Sequence, residues 1–131
     1  MTAALIGLTS SLTTILLFGF FKRIDKNTLY GLILAAIGFL YVGFAWTDIT
    51  IVTINILQAV VFLLLAYYGI KKNANFLIAG YFLHGLWDFM YGRLASSALT
   101  PPDYDWFCLT YDFVIGAYLV WLKIKSTGHT Q

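Results

Sequence analysis

Apolar residues run almost unbroken along this chain, divided only by short charged or helix-breaking segments. The division leaves five apolar stretches, at roughly Ala3–Phe21, Thr28–Trp46, Ile49–Ile70, Ala74–Gly92 and Trp106–Ile124. Each holds about 19 to 22 residues, close to the ~20 that a helix needs to cross a ~30 Å hydrocarbon layer. The pattern predicts an all-α fold, an integral membrane bundle of five transmembrane helices forming a single domain over residues 1–131. Most connections are short. The exception is the stretch from Arg93 to Asp105, where Ser96, Ser97, Pro101, Pro102, Asp103 and Asp105 gather and the proline pair cannot continue a helix.

Composition agrees. Of 131 residues, 60% are apolar and 11% charged, and glutamate does not occur. A soluble domain carries roughly 25% charged residues, so a water-soluble globule built from this chain would lack polar side chains to cover its surface. Lipid is therefore the expected partner of the apolar excess. A net charge of +2 with dispersed basic residues excludes a nucleic-acid surface. The lone cysteine, Cys108, cannot close an internal disulfide.

The first stretch is followed, not preceded, by Lys22 and Arg23, and no small-residue cleavage site stands out, so a retained first helix is expected rather than a signal peptide. With the N-terminus outside and the C-terminus cytoplasmic, Lys22, Arg23, Lys26, Lys71, Lys72, Lys123 and Lys125 all fall on the cytoplasmic side. Only Arg93 is left opposite. That is the asymmetry of the positive-inside rule. Trp46, Tyr91, Tyr104 and Trp106 then read as anchors at the outer interface, and Tyr30, Tyr67, Tyr68 and Trp121 at the inner one. Gly7 with Ser11, and Gly31 with Ala35, are small pairs spaced for close helix contact.

Ionisable residues inside hydrocarbon are costly and mark functional sites by default. Three qualify: His84, Asp88 and Asp112. His84 and Asp88 are four apart on the fourth stretch and share a helix face, which Tyr81 and Tyr91 extend. On the fifth stretch Asp105, Cys108 and Asp112 share a face, and on the third Asp48, Asn55 and Gln58 do. Three polar stripes over the outer half predict an outward-facing pocket. Structural alternatives stand beside this reading. His84 and Asp88 can satisfy each other as interhelical glue, Asn55 and Gln58 can bind neighbouring helices, Asp103 and Asp105 suit a helix N-terminus, Cys108 packs well as a small apolar residue, and His129 sits in a polar tail.

His84-Gly-Leu-Trp-Asp88 and Cys108-Leu-Thr-Tyr-Asp112 each place a metal-ligand type four residues before a carboxylate. Facing one another, they present His84, Asp88, Cys108 and Asp112 as ligands for a divalent metal such as zinc. The segment Leu83-His84-Gly85-Leu86-Trp87-Asp88, the proline loop, and Cys108 with Asp112 resemble an uncharacterised family of small multi-pass bacterial membrane proteins. The resemblance rests on the last third of the chain. It implies a bacterial inner (plasma) membrane location and no activity. Members of that family carry further His after the Trp-Asp pair, where this chain has Met90, Tyr91 and Gly92, and that departure removes ligands.

Three function classes fit. The first is an enzyme on an apolar or lipid-like small molecule, with Asp88 and Asp112 as the acid/base pair, His84 tuning or shuttling the proton, and Trp87, Tyr91, Tyr111, Asn55 and Gln58 contacting substrate. The second is an accessory subunit of a larger membrane complex. The third is a proton- or cation-coupled small transporter, for which a homodimer would supply the second half that five helices lack.

Overall fold

The computed structural model describes residues 1–94 and 100–128; Ser96, Ser97 and His129 lie outside them. Among the described residues every regular element is a helix: α1 (Thr2–Phe20), α2 (Lys26–Gly38), α3 (Leu40–Phe44), α4 (Ile49–Lys71), α5 (Ala74–Leu94) and α6 (Tyr104–Gly128). Four stretches, Thr2–Phe20, Lys26–Phe44, Ile49–Lys71 and Tyr104–Gly128, are long and apolar enough to cross a membrane. At 21 residues α5 also has the length, but His84, Asp88 and Arg93 dilute its apolar character.

Local chemistry sets the helix starts. Asp25 accepts the Thr28 amide at 2.9 Å, Asp48 accepts those of Thr50 and Ile51 at 3.0 and 3.1 Å, and the Asn73 side chain accepts that of Asn75 at 3.0 Å. Each satisfies a backbone donor that the first helical turn leaves unpaired. Asp48 is thereby an exposed cap, apart from the buried Asn55 and Gln58 with which it shares a sequence stripe. Asp103 precedes α6 with φ of 57° and accepts the Phe107 amide through its backbone carbonyl.

The expected second span is present as one apolar stretch, Lys26–Phe44, interrupted at a single residue. It breaks at Phe39, between α2 and α3, with neither residue of the chain's proline pair nearby to break it. Side chains of α4 support the broken backbone. Asn55 Nδ2 donates to the Tyr41 carbonyl at 2.9 Å, and the Gln58 amide, turned to donate, reaches the Gly38 carbonyl at 3.3 Å. The Tyr41 carbonyl also accepts the Ala45 amide at 3.1 Å, so Asn55 reinforces it, and Gln58 adds a donor for the Gly38 carbonyl where hydrocarbon supplies no water.

α5 is the central helix, packed against α6, α4 and α2, while α1 lies against α6. The approaches are close because small residues line them. A Cβ at Gly7 would meet the Phe107 carbonyl oxygen at 2.5 Å, and one at Gly69 would meet the Leu77 backbone at 2.9 Å. The apolar core, which includes Tyr30, Leu34, Phe62, Ala66, Leu77, Ile115 and Leu119, fills the half of the bundle toward the lysine-bearing helix ends. Outside, Leu5, Ile6, Leu16, Leu17, Leu32, Leu57, Val61 and Leu64 are exposed. An apolar surface that extensive suits lipid and would drive association in water.

Candidate functional site

The other half of the bundle holds the buried polar residues. His84 and Asp88 stand one turn apart on α5, and Asp112 comes from α6. What brings the two helices together there is Gly85, where a Cβ would sit 3.0 Å from the Phe113 ring and 3.3 Å from Asp112 Cβ. His84 Nδ1 lies 2.7 Å from Asp112 Oδ2 and 3.0 Å from Asp88 Oδ2. One ring nitrogen thus faces two carboxylates, and all three residues are 0–1% exposed. The Phe62 ring meets the imidazole edge-on, with centroids 4.8 Å apart, and fixes its plane from α4.

The triad is not self-sufficient. The Nδ1 proton closes a hydrogen bond to Asp112, whereas His84 Nε2, both oxygens of Asp88 and Oδ1 of Asp112 are buried without a hydrogen-bond partner among the described residues. The Tyr41 hydroxyl and the Cys108 thiol lie beside Asp88 as the donors nearest to it. Buried polar atoms in native proteins are normally paired, so this concentration of unpaired atoms makes the triad the candidate site.

A cavity of about 250 Å³ between α2–α3 and α6 opens onto His84 and Asp112 of the triad. His84 and Asp112 are its polar floor, with Leu40, Tyr104, Cys108 and Tyr111 among its walls. Tyr111 is held by Thr14 of α1, hydroxyl to hydroxyl at 3.1 Å. The cavity can therefore take an apolar body against aromatic walls and bring one end of it to an imidazole and a carboxylate.

The residues expected at the site divide into groups. His84, Asp88 and Asp112 converge, and Tyr111 lines their cavity. Trp87 and Gln58 instead line a separate, almost wholly apolar groove of about 380 Å³ between α4 and α5. Asn55 donates to the Tyr91 hydroxyl at 3.2 Å as well as to the Tyr41 carbonyl, so both are engaged in holding α3, α4 and α5 together. His84, Asp88 and Asp112 each offer a ligand atom within 4.8 Å of the others. Cys108, buried on the same face of α6, stands outside that group of three.

Two site residues escaped the sequence reading. Tyr41 was hidden in the second span, although a tyrosine five residues inside an apolar stretch is itself a signal. Tyr104 read as an interface anchor, but its ring packs on Phe44 at 5.4 Å and forms the cavity wall.

The model of a family described as a Family of unknown function (DUF6010) matches residues 2–126, well beyond the segment on which the sequence resemblance rests. None of the curated proteins and none of the solved structures searched matches the chain.

Proposed function

We propose a function from the site outward, because the chain belongs to the DUF6010 family, a family of unknown function that lends no activity. The protein is a membrane enzyme that performs acid/base chemistry on an apolar, lipid-like molecule entering from the bilayer. It sits in a plasma membrane with its N-terminus outside, its basic helix ends in the cytoplasm and its cavity in the outer leaflet. The observation that carries this reading is the convergence of two buried carboxylates on one imidazole nitrogen beside an apolar cavity.

Asp112 orients the imidazole through its hydrogen bond, as the acidic partner of a catalytic histidine does. His84 then moves a proton between Asp112 and the substrate, while Asp88, one turn away and unpaired, supplies the second acid or base. Tyr104, Tyr111 and Leu40 hold the apolar body and keep water from the reacting end, where a dry environment strengthens each charge interaction.

The test is direct. In nanodiscs made from a bacterial total lipid extract, the wild-type protein should deplete one lipid species and accumulate another by untargeted mass spectrometry. Asp88→Asn and Asp112→Asn should leave the extract unchanged. Identical lipid profiles for wild type and both variants would refute acid/base catalysis on a membrane lipid.

A further inference from the structure

We propose that His84, Asp88 and Asp112 bind one divalent metal ion of the zinc class, with the adjoining cavity supplying the open coordination position. The inference rests on reading the triad as a ligand-facing site and names what completes it.

Geometry comes first. The three side chains arise from two helices and offer one ligand atom each within 4.8 Å of the others. His84 Nδ1 is 2.7 and 3.0 Å from the two carboxylate oxygens, hydrogen-bond spacings that would widen by well under ~1 Å to the ~3.4 Å between adjacent ligands of a tetrahedral metal, with Nδ1 giving up any proton it carries. A neutral imidazole and two carboxylates are a ligand set that zinc accepts, and three protein ligands leave a fourth position for water or substrate. That position faces the cavity, because His84 and Asp112 form its floor.

Charge favours a metal over a purely structural triad. Two carboxylates buried beside one imidazole carry at least one negative charge in excess whenever both are ionised, and an isolated charge in hydrocarbon is costly. No lysine or arginine is near enough to offset it. Lys22, Arg23, Lys26, Lys71, Lys72, Lys123 and Lys125 stand at the opposite helix ends, and Arg93 lies over the Phe89 ring at 3.8 Å. A divalent ion balances the two carboxylates exactly in number and gives the unpaired oxygens of Asp88 and Asp112 a partner at once.

The experiment uses the full chain, carrying a tag without histidines and purified in mild detergent free of chelators. Metal content is read by elemental mass spectrometry, before and after stripping with chelator and reloading with zinc alone. Cobalt reloading adds a visible spectrum that reports coordination geometry. Near-stoichiometric zinc is expected in wild type and in Asp48→Asn, which alters an exposed cap, and its loss in His84→Ala and Asp112→Asn. Asp88→Asn supplies the answer should either of those fail to fold by circular dichroism. Wild type that holds no zinc as purified and takes up none on reloading overturns the metal, as does retention of zinc by folded His84→Ala or Asp112→Asn. Lipid conversion that persists in such metal-free protein leaves the acid/base reading intact; zinc bound with no lipid conversion keeps the metal site and removes that reading.

Discussion

At the residue scale, the polar side chains of this protein divide into those whose hydrogen-bonding capacity is used and those whose capacity is spare. The amide nitrogen of Asn55 belongs to the first kind. It binds the Tyr41 carbonyl and the Tyr91 hydroxyl and joins three helices. Asn55→Ala removes both bonds, leaving the Tyr91 hydroxyl without its Asn55 donor and the Tyr41 carbonyl with the Ala45 amide alone, and should lower stability by about 1–2 kcal/mol, measured as a lower unfolding midpoint in detergent. An unchanged midpoint would mean that the break near Tyr41 is supported in another way. His84, Asp88 and Asp112 are of the second kind, with four buried atoms unpaired. Sequence spacing made the His84–Asp88 pair visible because one helix carries both. That Asp112 meets the same nitrogen depends on how closely α6 approaches Gly85, which no spacing within one helix encodes.

At the scale of elements, small residues decide where helices touch. Gly7 and Gly19 lie on the same helix, α1, and make a controlled comparison. A methyl at Gly7 would collide with the Phe107 carbonyl at 2.5 Å, while one at Gly19 meets nothing within 4 Å. Gly7→Ala should therefore force α1 away from α6 and cost about 1–3 kcal/mol, and Gly19→Ala should be neutral or slightly stabilising through better helix propensity. Limited proteolysis of the N-terminal helix in detergent distinguishes them. Equal susceptibility of the two variants would contradict the close α1–α6 contact. The helix positions were legible in the sequence, since charges and caps such as Asp25 and Asp48 bound long apolar runs. The break at Phe39 was not. Its backbone partners, Asn55 and Gln58, come from α4, 14 and 20 positions beyond the carbonyls they meet, so the signal is tertiary. The same holds for Tyr41, whose place beside Asp88 follows from that break.

For the whole molecule, the proposed orientation predicts which ends water-soluble reagents reach. Cys108 is buried, and Cys108→Ala removes the only native thiol. In that background, Thr47→Cys at the α3–α4 turn should react with an impermeant maleimide in intact cells. Ser126→Cys near the end of α6 should react only after permeabilisation. The reverse pattern would invert the topology and move the cavity to the cytoplasmic leaflet. The bundle also has an order of assembly written into its contacts. The principal partner of α1 is α6, made after every other helix described here, and the Thr14–Tyr111 pair that joins them spans 97 positions. At the ~5–20 residues per second of synthesis, α1 waits in the bilayer for roughly 5–20 s before its partner exists. His84 and Asp88 wait as well, facing the gap that Asp112 will fill. A ribosome stalled before α6 would release a chain with an orphaned first helix and two uncovered polar groups, the kind of fragment that membrane quality control removes.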